Sequence, residues 1–190
     1  MPMSDELLDV VDNNDNVTSQ ELRTVVHQRG LQHRGVHVFL FTREGRLLIQ
    51  KRSKDRAASP SLLDCSVSEH VQAGEDYLIA AQRGLKEELG LKETELREIV
   101  TFRMNYGPHD NEISRLFQGF VDPALVQFDP VEIEKIRYFS LIELLERMEI
   151  AEGTFCYWFL QIIQWATGKP SELSILKIHE DVHLPWLLIK

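Results

Sequence analysis

The residues of this chain best suited to chemistry are the adjacent glutamates Glu87 and Glu88, preceded by Arg83-Gly84 and, further upstream, by Gly74-Glu75. On a helix the two glutamates lie about 100° apart with Gly84 one turn below both, so the carboxylates line one edge. Like charges so placed repel by roughly a few tenths of a kcal/mol unless a cation relieves them. An arbitrary Glu-Glu pair is usually the solvated face of a surface helix. Beside Gly74-Glu75 this spacing points instead to divalent metal, which collects on clustered carboxylates and bridges them to phosphate oxygens.

A helix over 75–89 must carry these groups. Ile79, Ala80, Leu85 and Leu89, with Ala81 alongside, fit helical better than strand periodicity. Glu75 and Asp76 complement the amino-terminal dipole, and Gly90 suits a left-handed carboxyl-terminal cap. Before it, 7–11 reads as a short strand closed by Asn13-Asn14-Asp15-Asn16, after which Thr18 or Ser19 caps a helical turn running to His27. Residues 36–42 and 46–51 are strands joined by Arg43-Glu44-Gly45, and 62–67 is another. Strand character returns at 97–103, 113–121 and 136–139. Helices follow over 141–148 and 155–167, the last stopped by Gly168 and Pro170. This order predicts an α/β sandwich around a mixed sheet.

At 190 residues and 43% hydrophobic composition the chain supports one sizeable core. A net charge of −9 argues against nucleic acid or anionic membrane as partner, since both need a basic surface. The longest apolar run, 157–163, is interrupted by Gln161 and too short to cross a bilayer. Cys65 and Cys156 lack metal or redox spacing, and a reducing cytoplasm is the expected compartment.

The segment Gly74-Glu75, then Arg83-Gly84-Leu85-Lys86-Glu87-Glu88-Leu89-Gly90-Leu91, resembles the Nudix box: Gly, five residues, Glu, seven residues, Arg-Glu-apolar-x-Glu-Glu-x-Gly-apolar. The resemblance implies a Nudix α/β/α sandwich forming a single domain over 31–150, with the box at about 69–91. Residues 1–30 would be an extension packed on it, and 151–190 a carboxyl-terminal helix and tail. It also implies metal at Glu75, Glu87 and Glu88. Two positions depart: the box's first Gly is Glu69, and the Glu after Arg83 is Gly84, which as a helix-interior glycine costs about 1 kcal/mol relative to Ala. Gly84 makes room for a neighbouring backbone or a ligand.

Over most of its length the chain is also similar to the type I isopentenyl-diphosphate isomerases, which share the Nudix fold, and to the isomerase-like Nudix hydrolases. The segment Ser68-Glu69-His70-Val71-Gln72-Ala73-Gly74-Glu75 resembles the isomerase Cys-x-His-Pro-x-x-Gly-Glu. By this resemblance His27, His33, His70, Asp110 and Glu112 are metal ligands, in a set suited to octahedral Mn²⁺ or Mg²⁺ with imidazole favouring the former. Arg23, Arg52 and Arg56 fall near the positions that grip diphosphate, as bidentate guanidinium groups do well. Trp158 aligns with a pocket Trp that steadies positive charge through its π face, although its helix equally accommodates a core aromatic. Ser68 stands where the isomerases carry a catalytic Cys. Cys65 would lie on the opposite face of a regular strand, and reads as an inert buried thiol. His37, His109, His179 and His183 read as structural.

Three functions fit. The first is a Mg²⁺- or Mn²⁺-dependent hydrolase of a small diphosphate compound, with Glu88 in the catalytic set, Glu112 as base and Glu69 as the second choice. The others are allylic isomerisation, with Glu112 and a hydroxyl or water near Ser68 moving protons on opposite faces, and a diphosphate-binding module without turnover. The apolar residues Leu184, Trp186, Leu187 and Leu188 predict a tail packed on the body or on another subunit; oligomeric state is left open.

Overall fold

The structure is a computed structural model, and it describes residues 5–56, 58–107, 109–151 and 153–179. In chain order the elements are β1 (Leu7–Val11), β2 (Val17–Leu22), α1 (Arg23–Arg29), β3 (Gln32–Phe41), β4 (Leu47–Arg52), β5 (Leu63–Asp64) and β6 (Val67–His70). They continue with α2 (Tyr77–Leu89), β7 (Leu96–Asn105), β8 (Asn111–Phe120), β9 (Ile133–Phe139), α3 (Leu141–Ile150), α4 (Tyr157–Ala166) and β10 (Ser174–Ile178).

Alternation along β3 sets the layers. Val36, Val38 and Leu40 bury on the face covered by Tyr77, Ala80, Ala81, Leu85 and Leu89 of α2. Phe39 and Phe41 bury on the other, with Leu141 and Leu144 of α3 and Phe159, Ile162 and Ile163 of α4. Such period-2 alternation lets one sheet support helices on both sides, the predicted α/β/α sandwich. The sheet runs β10-β7-β8-β3-β4-β5, with β6 paired to β3 and β9 to β4. Only β3–β8 is parallel among the described strands, and its register makes His33 and Glu112 direct partners, as it does Gly35 and Ser114.

β1 and β2 form a separate two-stranded sheet. Leu8 and Val10 share a small core with Val26 and Leu31, while Ala73 N–H donates to Leu7 O at 2.8 Å and Gly74 N–H to Asp9 Oδ2 at 3.0 Å. The hairpin is thereby tied to the loop that leads into α2.

Four expectations need correction. Thr18 and Ser19 cap no helix: both are in β2, paired across the hairpin, and α1 begins at Arg23 with no side-chain cap on Leu22. α2 starts at Tyr77, because Asp76 is its N-cap and accepts from Ile79 N–H at 2.9 Å; Gly90 does take the left-handed cap. The strand expected over 62–67 is two pieces, β5 and β6, broken at Cys65-Ser66, where Ser66 Oγ bonds Leu48 O and Leu40 N–H instead. The unassigned stretch after Leu173 contains β10, antiparallel to β7. His183, Leu184, Trp186, Leu187 and Leu188 lie outside the described residues.

Candidate active site

α1, β3, β6 and the start of β8 bring His27, His33, His70, Asp110 and Glu112 together. The ring centroids of the three histidines lie 5.0–5.2 Å apart, and one ligand atom from each falls within 4.8 Å of the others. The same holds for His33, Asp110 and Glu112. The fully buried His33 has Nδ1 3.0 Å from Leu31 O. A carbonyl only accepts, so Nδ1 carries a proton, and Nε2 faces Glu112 Oε1 at 3.5 Å and Asp110 Oδ1 at 3.8 Å. His70 Nε2 lies 3.8 Å from the same Glu112 oxygen, and His27 Nδ1 3.5 Å from Asp110 Oδ1.

These gaps exceed good hydrogen bonds. Among the described residues His27 Nε2, His33 Nε2 and Asp110 Oδ1 are buried with no hydrogen-bond partner. Buried polar atoms left so are rare and call for a missing partner. Two triads that share His33, one of three imidazoles and one of an imidazole with two carboxylates, fit a divalent ion with mixed nitrogen and oxygen preference.

The charges agree. Burial pushes His70 well below the ordinary histidine range and His27 below it, leaving the neutral imidazoles that metal requires. Burial also pulls His33 down, but its contact with Glu112 outweighs this and raises it. Burial would raise Glu112 too, yet the surrounding histidines, His33 first, hold it far below the carboxylate range. Asp110, buried beside Glu112, is pushed up to about 7.

Glu112 has its space because residue 35 is glycine. A Cβ there would overlap Glu112 Oε2 and come within 2.9 Å of Ser114 Oγ, which donates to that oxygen at 2.7 Å. Gly35→Ala is expected to destabilise the fold by about 1–3 kcal/mol through overpacking. It should also turn Glu112 out of line, seen as a lower Tm with weakened Mn²⁺ binding. An unchanged Tm would show that the carboxylate moves freely.

A second acidic wall lies alongside. Glu88 is only 2% exposed and accepts from Gln50 Nε2 at 2.8 Å; burial first, then the adjacent Glu69 carboxylate, push it well above its ordinary range. Glu87 is largely exposed and touches Arg83. Glu75 belongs to neither histidine group and is held by Arg83 at 3.0 and 3.2 Å and by Gln72 N–H at 3.0 Å. Arg83 also donates to His70 O at 2.8 Å, so it braces the turn between β6 and α2.

Of the three arginines, Arg23 approaches Glu6 only at 4.0 Å, with its buried Nε unpaired. Arg56 pairs with Glu132. Arg52 donates to Asp64 Oδ2 at 2.9 Å and lies over the Trp158 ring, 5.6 Å from its centroid.

Asp64 went unnoticed in the sequence, although a carboxylate inside Leu62-Leu63-Asp64-Cys65 was the available signal. Fully buried, its Oδ1 accepts from Trp158 Nε1 at 2.6 Å, Cys65 N–H at 2.7 Å and Ser68 Oγ at 3.1 Å. Ser68 spends its proton there. His37 Nδ1, 3.1 Å from Ser68 Oγ, is therefore the donor of that pair, and His37 Nε2 accepts from Tyr106 OH at 3.2 Å. The break between β5 and β6 also brings Cys65 Sγ to 4.0 Å from His37 Nδ1, on Ser68's side, where burial pushes the thiol well up. Nothing local in the sequence marked His37 or Tyr106.

One cavity of about 370 Å³ collects these groups. Its wall includes Arg23, His27, Arg52, Arg56, Ser68, Glu69, His70, Glu87, Glu88, Asp110, Glu112 and Trp158, but not His33 or Glu75. Among its described lining residues there is no Leu, Ile, Val, Met or Phe.

The fold and the box together define a class, and comparison with known proteins agrees: the NUDIX domain profile matches residues 31–159, so the chain belongs to the Nudix family. An isopentenyl-diphosphate Delta-isomerase of Serratia proteamaculans is 34% identical over 164 residues, covering 84% of this chain and 90% of that protein. An uncharacterized Nudix hydrolase of Streptomyces coelicolor is 42% identical over 90 residues, 47% of this chain and 50% of that one. A crystal structure from Deinococcus radiodurans superposes with a TM-score of 0.70 at 27% identity, covering 84% of this chain and 98% of that one. No described helix is long and apolar enough to cross a membrane.

Proposed function

We propose that the protein is a divalent-metal-dependent hydrolase of a small diphosphate compound. The observation that carries this reading is that His27, His70, Asp110 and Glu112, grouped around the buried His33, line one cavity together with Arg23, Arg52 and Arg56. Those five residues and Glu88 would hold Mn²⁺ or Mg²⁺, which would supply positive charge for the phosphate oxygens and acidify a water. Arg23, with an unpaired buried Nε, and the two neighbouring arginines bind and orient the diphosphate. Glu112, on the cavity wall, takes the proton of the attacking water as the water oxygen bonds to phosphorus and the bridging phosphorus–oxygen bond breaks, the leaving phosphate carrying away the bond's electrons. Two free, buried cysteines accord with a reducing cytoplasm.

Isomerisation is the second reading, favoured by the names of relatives and by Ser68 and Glu112 lining the same cavity. Against it, the Ser68 proton is committed to Asp64. Incubation with Mn²⁺ or Mg²⁺ and a panel of nucleoside, sugar and isoprenoid diphosphates, followed by mass spectrometry, separates the readings. Phosphate or a nucleoside monophosphate is the expected product. Dimethylallyl diphosphate at unchanged mass, increased by Ser68→Cys, would establish the isomerase. Tight binding without any product would make this a binding protein.

A further inference from the structure

The two departures from the Nudix box are neighbours in space. A Cβ at Gly84 would lie 2.6 Å from Val67 Cγ1, 2.8 Å from Glu69 Cγ and 3.8 Å from Glu69 Cβ. The glycine in α2 is therefore where the Glu69 side chain, arriving from β6, crosses the helix. The box normally has the small residue at 69 and the carboxylate at 84; here the pair is inverted and the same volume is filled from the opposite element. The carboxylate ends in the box's own surroundings: it contacts Glu88, lies 3.3 Å from Arg83 Nη1 and lines the cavity.

We propose that Glu69 is the transposed carboxylate of the box and holds metal together with Glu88, doing from β6 what a glutamate at 84 would do from α2. Two observations support it beyond the exchange itself. Glu88 is nearly inaccessible, and Gln50 is its hydrogen-bond donor, while its neighbour is another carboxylate, an arrangement a shared cation relieves. Arg83 supplies only part of that relief, because its guanidinium is divided among Glu69, Glu75, Glu87 and the His70 carbonyl. The inference rests on the metal-dependent reading above.

Mn²⁺ titration by calorimetry and electron paramagnetic resonance, with inorganic diphosphate present, tests it on the wild type, Glu69→Gln and the double exchange Glu69→Gly/Gly84→Glu. Glu69→Gln keeps the shape that packs on Gly84 and is expected to lose one Mn²⁺, or to bind it about 10- to 100-fold more weakly. The double exchange should recover wild-type stoichiometry, whereas Gly84→Glu alone should not, because Glu69 occupies the space. Full Mn²⁺ stoichiometry and affinity in Glu69→Gln would overturn the proposal even if the double variant does not fold. Should the wild type itself hold no Mn²⁺, the metal-dependent reading falls and this inference with it.

Discussion

Glu112→Gln is expected to weaken Mn²⁺ binding and lower kcat by at least about a hundredfold while the protein stays folded. Losing a hydrogen bond to a ligand typically costs about 10- to 100-fold, and here a ligand and its charge are lost together. The carboxylate is shared: Oε1 faces both His33 and His70, and Oε2 accepts from Ser114. An amide placed with its oxygen toward Ser114 keeps that hydrogen bond but turns an N–H₂ toward two imidazole Nε2 atoms, where a cation can no longer sit. Because Gln fills the same volume, Tm in chelator should change little. Calorimetric Mn²⁺ titration beside Tm checks both halves, and affinity within threefold of wild type would remove Glu112 from the metal set.

Asp64→Ala should have the largest effect on stability, a loss of about 3–5 kcal/mol. The side chain of Arg52 is 6% exposed and that of Asp64 not at all, so deleting the carboxylate strands a buried guanidinium. It also releases the indole N–H of Trp158 and the hydroxyl of Ser68. Denaturant unfolding measures the loss, and the near-ultraviolet signal of Trp158 should broaden with it. Asp64→Asn, which can still accept from Trp158 and Ser68, is expected to keep the pocket ordered while losing part of the stability. If alanine costs under about 1 kcal/mol, Arg52 has found another partner and Asp64 does not organise this wall.

The sequence was most legible where chemistry and periodicity coincide. α2 carries an apolar stripe, acidic residues at its start and a terminal glycine, and the box sits on it, so helix and acidic edge could be read together, although the cap at Asp76 was not. The five residues of the histidine cluster were reachable only by resemblance, because their meeting depends on a parallel pairing between segments far apart in the chain. Thr18 and Ser19 misled because a β-hairpin residue and a helix cap draw on the same polar, β-branched types, and the choice was made by β1 lying alongside. Asp64, His37 and Tyr106 stayed hidden for a related reason. Their roles come from one another across β3, β5, β6 and the residue after β7, not from any local spacing. Gly84 was visible as an anomaly, but only the structure names its occupant, Glu69.

The facing of His33 and Glu112 is written in the hydrogen-bond ladder of β3 and β8, where they are register partners. Insertions or deletions anywhere in the chain between them can reshape the cavity mouth without altering their separation, provided the two strands keep their pairing. Loop changes of that kind would alter what the cavity admits while leaving the facing pair in place.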